Sequence, residues 1–168
     1  MLLTQAVVLA MPGVPGIYFH SLVGSRNYFE GVKLTGINRS INREKFNYKF
    51  LVDRLTNDGN FEKVIFNSYK RLISIRTNEK AFNPFGKFEF LDLHTSVFSI
   101  MQYSIDEKES ILSINNFSNG TISFNLPEKI NYPLVDLLTD TKIEKQTKIE
   151  LEPYQVLWLK NIKEKKND

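Results

Sequence analysis

Hydrophobic positions run in two rhythms along the chain, and the change comes near residue 85. Residues 2–11 are almost continuously apolar, which over so short a run predicts a buried helix or the end of one. Pro12, Gly13, Pro15 and Gly16 then turn the chain sharply. Ile17-Tyr18-Phe19 follows, branched and aromatic with no polar alternation. That is the pattern of a short strand covered on both faces, as in a parallel sheet. Residues 20–43 are polar and contain glycine, and loops of that length in compact domains are usually functional. Residues 44–56 read as helical. Residues 61–77 carry the clearest helical signal, with Phe61, Val64, Ile65, Leu72 and Ile73 recurring every three or four positions. Glu62 in the first turn and Lys70, Arg71 and Arg76 toward the end complement the helix dipole.

From residue 85 the period drops to two. Residues 96–103, 110–116, 121–126, 134–138, 148–151 and 155–159 read as strands. In 121–126, Ile122, Phe124 and Leu126 share one face. Asn119-Gly120 predicts a hairpin turn joining 110–116 to 121–126. Together these make a small antiparallel β-domain of about 75–80 residues, just large enough to hold a core. The tail 163–168 is expected to fray. The anomaly is the solitary parallel-type strand at the front, which cannot satisfy its backbone or bury both faces without neighbours.

The chain has 168 residues, of which 42% are hydrophobic and 24% charged, values that exclude a disordered or low-complexity polymer. There is no cysteine and only His20 and His94. A disulfide framework, a thiolate zinc site, a cysteine nucleophile and a multi-histidine metal site are therefore excluded. A net charge of +3 is too mild to argue for nucleic acid, and no nucleic-acid partner is expected. The charge is uneven, however. Residues 1–84 hold 12 Lys and Arg against 6 Asp and Glu, and residues 85–168 hold 10 against 13. All six arginines, at 26, 39, 43, 54, 71 and 76, lie in the first half. The rigid guanidinium fork suits anionic or polyhydroxyl ligands, although arginines of this density also decorate ordinary solvated surfaces. The apolar start lacks a basic n-region and a small-residue cleavage pattern. It also falls far short of the roughly 20 residues needed to span a bilayer. A cytoplasmic chain with no membrane partner is expected.

One long ordered motif goes further. Met11-Pro12-Gly13-Val14-Pro15-Gly16-Ile17-Tyr18-Phe19-His20-Ser21-Leu22 is followed by Gly24-Ser25-Arg26-Asn27, and then by Thr35-Gly36-Ile37-Asn38-Arg39-Ser40-Ile41-Asn42-Arg43-Glu44. This series resembles the sucrose phosphorylase-like branch of glycoside hydrolase family 13, which includes sucrose and glucosylglycerate phosphorylases within the α-amylase superfamily. Tyr69-Lys70-Arg71-Leu72-Ile73 with Arg76, Ala81-Phe82-Asn83-Pro84, and Leu151, Pro153, Tyr154, Trp158 and Leu159 extend the match along essentially the whole chain.

The resemblance implies an α+β fragment. Residues 1–84 would be the end of a (β/α)8 catalytic barrel, with residues 17–19 as its eighth strand and 20–43 as the loop on the catalytic face. Residues 85–160 would be a small antiparallel, β-sandwich-like C-terminal domain, and 161–168 a frayed tail. Family members are retaining glycosyltransferring phosphorylases or glycosidases. Their nucleophile, acid/base and stabilising aspartate belong to barrel strands four, five and seven, which have no counterpart here. Glu30 and Glu44 match no catalytic motif. No catalytic residue is assigned, and the isolated chain is expected to be inactive.

Substrate binding is where the resemblance reaches individual residues. Arg39 matches the family arginine that binds the glucosyl unit near its 4-hydroxyl. Arg43 either supports that site or holds the loop. His20 would face the barrel mouth as a sugar or phosphate contact, or else serve as a hydrogen-bonded structural histidine. Arg26 and Asn27 would lie where acceptor contacts are made. Tyr18 and Phe19 would be barrel core. The expected partners are an α-glucoside and phosphate in the full-length family, with a separate chain as a candidate source of the rest of the barrel; no metal or organic cofactor is expected. The rival reading is a non-catalytic β-domain that binds carbohydrate or a partner protein.

Overall fold

In a computed structural model, the structure describes residues 2–130, 132–145 and 148–162. The expected tail 163–168 lies outside the described residues. The chain divides into two compact units, one of residues 1–15 with 72–168 and the other of residues 16–71.

The first unit is built on a six-stranded antiparallel sheet. Its strands are β1 (Phe88–Phe90), β2 (Val97–Tyr103), β3 (Ser110–Asn116), β5 (Leu134–Asp136), β6 (Thr141–Ile143) and β8 (Val156–Asn161), in the order β1-β2-β3-β8-β5-β6. A second, two-stranded sheet pairs β4 (Ile122–Phe124) with β7 (Ile149–Leu151). The register puts Met101, Leu112 and Leu159 side by side on one face of the large sheet. These pack in one cluster with Phe124, Ile149 and Leu151 from the small sheet. The strands of this unit thus form two layers of sheet around an apolar core.

The opposite face of the large sheet is also covered, which is why β2 and β3 are buried along most of their length instead of alternating. Ile100, Ser113 and Trp158 lie in register on that face. Trp158 is fully buried and meets Phe82, with ring centroids 4.9 Å apart. Helix α1 (Leu2–Ala10) packs against β3 and buries Ala6, Leu9 and Ala10. Its end is held by Arg76, which comes from the last turn of a longer helix described below. The Arg76 guanidinium is buried over the Phe82 ring and donates to Leu9 O and, at 2.6 Å, to Gly13 O. The bond to Leu9 O satisfies a carbonyl that the C-terminus of α1 leaves without an intrahelical donor, and the bond to Gly13 O holds the turn that follows. Burial pushes the guanidinium's pKa down, and the two carbonyls stabilise the charge in place.

The expected hairpin at Asn119-Gly120 is not formed: β3 pairs with β2 and β8, and β4 pairs with β7. The reason is Asn116, the last residue of β3. Its buried amide donates to Gly120 O and Glu152 O, both at 2.9 Å, and accepts from Ser118 N and Ser118 Oγ, both at 2.8 Å. The chain curls around this side chain and leaves for the other layer.

The second unit is irregular and helical. It contains α2 (Phe19–Leu22), α3 (Phe29–Thr35), a 3-10 turn (Asn38–Asn42) and α4 (Tyr48–Thr56). It also takes residues 61–71 of α5 (Phe61–Asn78), whose last part belongs to the first unit. Gly36, in the left-handed region at φ 67°, closes α3, and Asn47 caps α4 by accepting from Phe50 N at 3.2 Å.

The strand expected at Ile17-Tyr18-Phe19 is corrected here. Tyr18 has extended backbone, but residues 14–18 join no ladder and Phe19 opens α2. A strand exists only where a neighbour supplies its hydrogen bonds, and none of the eight described strands lies in residues 16–71. The expected long loop over 20–43 is instead three short helical turns.

Candidate functional site

The residues singled out for binding all fall within the 16–71 unit. Their setting is a turn held from one side. After the 3-10 turn, residues 43–47 run without regular structure. Tyr18 Oη donates to Asn42 O, and His20 Nε2 lies 3.0 Å from Glu44 O. A carbonyl only accepts, so His20 carries its proton on Nε2. His20 Nδ1 is buried without a partner among the described residues.

The aromatic rings reinforce the two bonds. Tyr18 and His20 stack at 5.1 Å with 21° between planes, and Phe46 lies 5.3 Å from the imidazole. Just before them in the turn, Tyr28 N donates to Ile41 O at 2.7 Å. The Thr35 and Ser40 hydroxyls meet at 2.7 Å, and Thr35 Oγ1 also donates to Gly31 O at 2.7 Å. Tyr28 packs so closely over Gly31 that a Cβ there would fall 2.2 Å from its ring. The carbonyls of 41, 42 and 44 are therefore all captured by residues 18–28.

Arg39 sits within the 3-10 turn and Arg43 directly follows it; both side chains are exposed. Arg26 is also exposed, as is Asn27. Among the described residues none of these three arginines has an ion-pair or hydrogen-bond partner through its guanidinium, whereas Arg54 pairs with Glu62 at 2.7 Å and lies over Phe50. Residues 16–71 carry ten Lys and Arg against five Asp and Glu. Unpaired guanidinium groups in a net positive unit are suited to phosphate or to sugar hydroxyls.

The structure brings His20 together with the segment that carries Arg39 and Arg43. Arg26 lines a cavity of about 320 Å³ together with Ser25, Glu44, Phe46, Phe50 and Arg54, and His20, Arg39 and Arg43 do not line it. Asn27 does not line it. Tyr18 and Phe19, expected as barrel core, are 46% and 49% exposed. Tyr18 was the residue that sequence reasoning passed over. Its only available signal was its place two residues before His20 in the motif. His94, in the other unit, accepts from Ser96 N at 3.1 Å within its own turn.

Among the described residues no group of three or more His, Asp or Glu is placed to hold a metal ion. None of their helices is long and apolar enough to cross a membrane.

No family model matches the chain. It is 35% identical over 176 aligned positions to a glucosylglycerate phosphorylase of Spirochaeta thermophila, covering 98% of this chain and 30% of that protein. It is 31% identical to a glucosylglycerate phosphorylase of Escherichia coli, covering 95% of this chain and 28% of that protein. The chain thus spans under a third of the length of these relatives. Among solved structures, an Anoxybacillus α-amylase superposes with a TM-score of 0.73 at 17% identity, over 98% of this chain and 32% of the amylase. The trehalulose synthase MutB superposes with a TM-score of 0.71 at 17% identity, over 95% and 38%. At that identity these two establish the fold alone.

Proposed function

This chain is similar over nearly its whole length to the C-terminal part of glucosylglycerate phosphorylase-like members of glycoside hydrolase family 13, and from that premise we propose that it forms the closing portion of a retaining enzyme acting on α-glucosides. In this reading residues 1–84 complete a (β/α)8 barrel, residues 20–43 sit on its catalytic face, and residues 85–160 are the C-terminal β-domain. The complete enzyme transfers a glucosyl unit between phosphate and an acceptor of the glycerate or fructose type. Arg39 binds the glucosyl unit, and Arg26, Asn27, His20 and Arg43 line or support the same region.

The observation that carries this reading is the 35% identity to a phosphorylase across 98% of the chain. The surface of the 16–71 unit supports it. Phe29, Leu34 and Ile37 are 62%, 78% and 59% exposed, close in sequence to the arginine turn. In this reading these exposed apolar side chains are covered by the rest of the barrel, on the same polypeptide or on a separate one.

Retaining transfer needs two carboxyl groups about 5–5.5 Å apart across one sugar. No pair within these 168 residues matches that role, so a polypeptide of these residues alone is inactive. The test has two arms. Purified chain incubated with phosphate and either glucosylglycerate or sucrose releases no glucose 1-phosphate above buffer; turnover would refute the assignment. The same chain, exchanged for the corresponding segment of the Spirochaeta thermophila relative, supports phosphorolysis. In that chimera Arg39→Ala lowers kcat/KM by roughly 10- to 100-fold, the worth of a hydrogen bond to a charged group. An unchanged kcat/KM would remove Arg39 from the site. Saturable oligosaccharide binding by the unfused chain that survives Arg39→Ala would favour the non-catalytic module instead.

A further inference from the structure

The arginine turn is held in an unusual way. In a sheet, the carbonyls of an extended segment are met by the N–H groups of a neighbouring strand. Here the carbonyls of Asn42 and Glu44, two residues apart, are met by the side chains of Tyr18 and His20, also two residues apart. The two rings stack on each other and Phe46 closes the stack. Two side-chain donors thereby take the place that main-chain N–H groups hold in a ladder.

From this geometry we infer that Tyr18 and His20 are positioning residues for a pair of substrate-binding arginines, Arg39 and Arg43; the inference rests on the reading above that this turn faces the substrate. Arg43 stands between the two gripped carbonyls, so its Cα is fixed on both sides. Its guanidinium, like that of Arg39, engages nothing among the described residues. A loop-holding arginine would spend its donors on the loop. The loop is instead held by an aromatic hydroxyl and an imidazole, and both guanidinium groups are left for a ligand. The ligand class is one that takes two guanidinium forks: an oxyanion such as phosphate, or the vicinal hydroxyls of a sugar. His20 on this account never touches substrate. Its Nε2 proton is committed to Glu44 O, and its ring is sandwiched between Tyr18 and Phe46.

Substitutions that separate donor from ring test the clamp. Tyr18→Phe and His20→Phe keep the aromatic stack and delete the two donors, and His20→Gln keeps a donor and deletes the ring. Hydrogen–deuterium exchange on the full 168-residue chain is read over peptide 40–46, with peptide 111–116 as an internal reference. The double Phe variant is expected to accelerate exchange in 40–46 about tenfold or more, the factor that one lost hydrogen bond carries, with no change in 111–116. Unchanged exchange in 40–46 overturns the clamp.

In the chimera, the double Phe variant and Arg43→Ala are each expected to raise KM for phosphate or for the glucoside about tenfold. The kcat should change far less, and His20→Gln should recover part of the loss. Accelerated exchange with both KM values unmoved overturns the positioning role. If Arg39→Ala is also silent there, the reading of the site itself fails. If Arg39→Ala is damaging and Arg43→Ala silent, only the pairing of the arginines fails.

Discussion

Asn116 offers the sharpest test of how the β-domain is organised. Its buried amide makes four hydrogen bonds, at 2.9, 2.9, 2.8 and 2.8 Å, to Gly120 O, Glu152 O, Ser118 N and Ser118 Oγ. Asn116→Ala deletes all four and leaves Glu152 O and Gly120 O without this donor. At about 1 kcal/mol net per bond the sum is about 4 kcal/mol. Ser118 Oγ already donates to Gly120 O at 3.0 Å and retrieves part of this, so a loss of about 3–4 kcal/mol is expected. Urea unfolding followed by the single tryptophan reads the domain directly, because Trp158 lies on β8 beside β3. At roughly 2–4 °C per kcal/mol for a chain of this size, the melting temperature should fall by about 6–16 °C.

Asn116→Asp sharpens the argument. It keeps the shape and both acceptor bonds but turns a carboxylate oxygen toward two carbonyls. The folded state then holds its proton more tightly than the unfolded chain, so this group contributes stability below the unfolded aspartate pKa and loses it as pH rises through the raised folded value. The deficit of Asn116→Asp should therefore shrink on acidification toward pH about 4, whereas that of Asn116→Ala should not respond to this group. A cost below about 1 kcal/mol for both variants, or a deficit of Asn116→Asp that is flat in pH, would refute the account of β3's termination.

Two further outcomes follow from the same unit. Gly86 precedes β1, and a Cβ there would fall 2.2 Å from Tyr103 O, a backbone atom that cannot rotate away; Gly86→Ala should cost about 1–3 kcal/mol, read as a lower urea midpoint, and a neutral result would show that the β1–β2 approach yields easily. Lys160 bonds to Glu79 at 2.5 Å and Glu109 at 2.8 Å. Burial pulls its ammonium pKa down, the two carboxylates outweigh that and raise it, and the Lys160 bond holds the Glu109 carboxyl below its ordinary value. The depressed Glu109 contributes stability that is present above its unfolded pKa and is lost as pH falls through the folded one. Lys160→Met should therefore lower stability at neutral pH and flatten the acid limb of a stability-against-pH curve, and an unaltered acid limb would refute the coupling.

How much of this was readable beforehand depends on the range over which the determining contact acts. α5 was legible because one face of regular backbone repeats at a fixed period and burial imposes that period on the sequence, and β2 and β3 because each is a run of strand-forming residues of the right length. β1 and β6 were missed because neither buries a residue, whereas the equally short β4, β5 and β7 each bury at least one; β1 exists through pairing with β2, not through its own pattern. Asn119-Gly120 misled for a related reason. The dipeptide permits a tight turn, but whether the flanking strands then pair is decided by Asn116 reaching Glu152, 36 residues away. Residues 17–19 misled in the opposite sense. Their composition fits a ladder, and among the described residues no ladder partner exists in their unit.

The candidate site shows the same division. The arginine turn was found through motif resemblance, because unpaired guanidinium groups leave no periodic trace. The clamp beneath it was invisible, since it joins side chains to backbone carbonyls across 24 residues, and any residue type at 42 or 44 would present the same carbonyl. That has a consequence for substitutions. Changes at Asn42 and Glu44 that preserve backbone conformation should leave the turn intact, because their side chains are not what is gripped. Changes at Tyr18 and His20 should not be tolerated, because there the side chain is the only donor. A site held in this way is specified by the gripping residues and by the groups that face the ligand. The positions between them are free to vary, which is the pattern expected where a loop's shape must be fixed and its surface kept open.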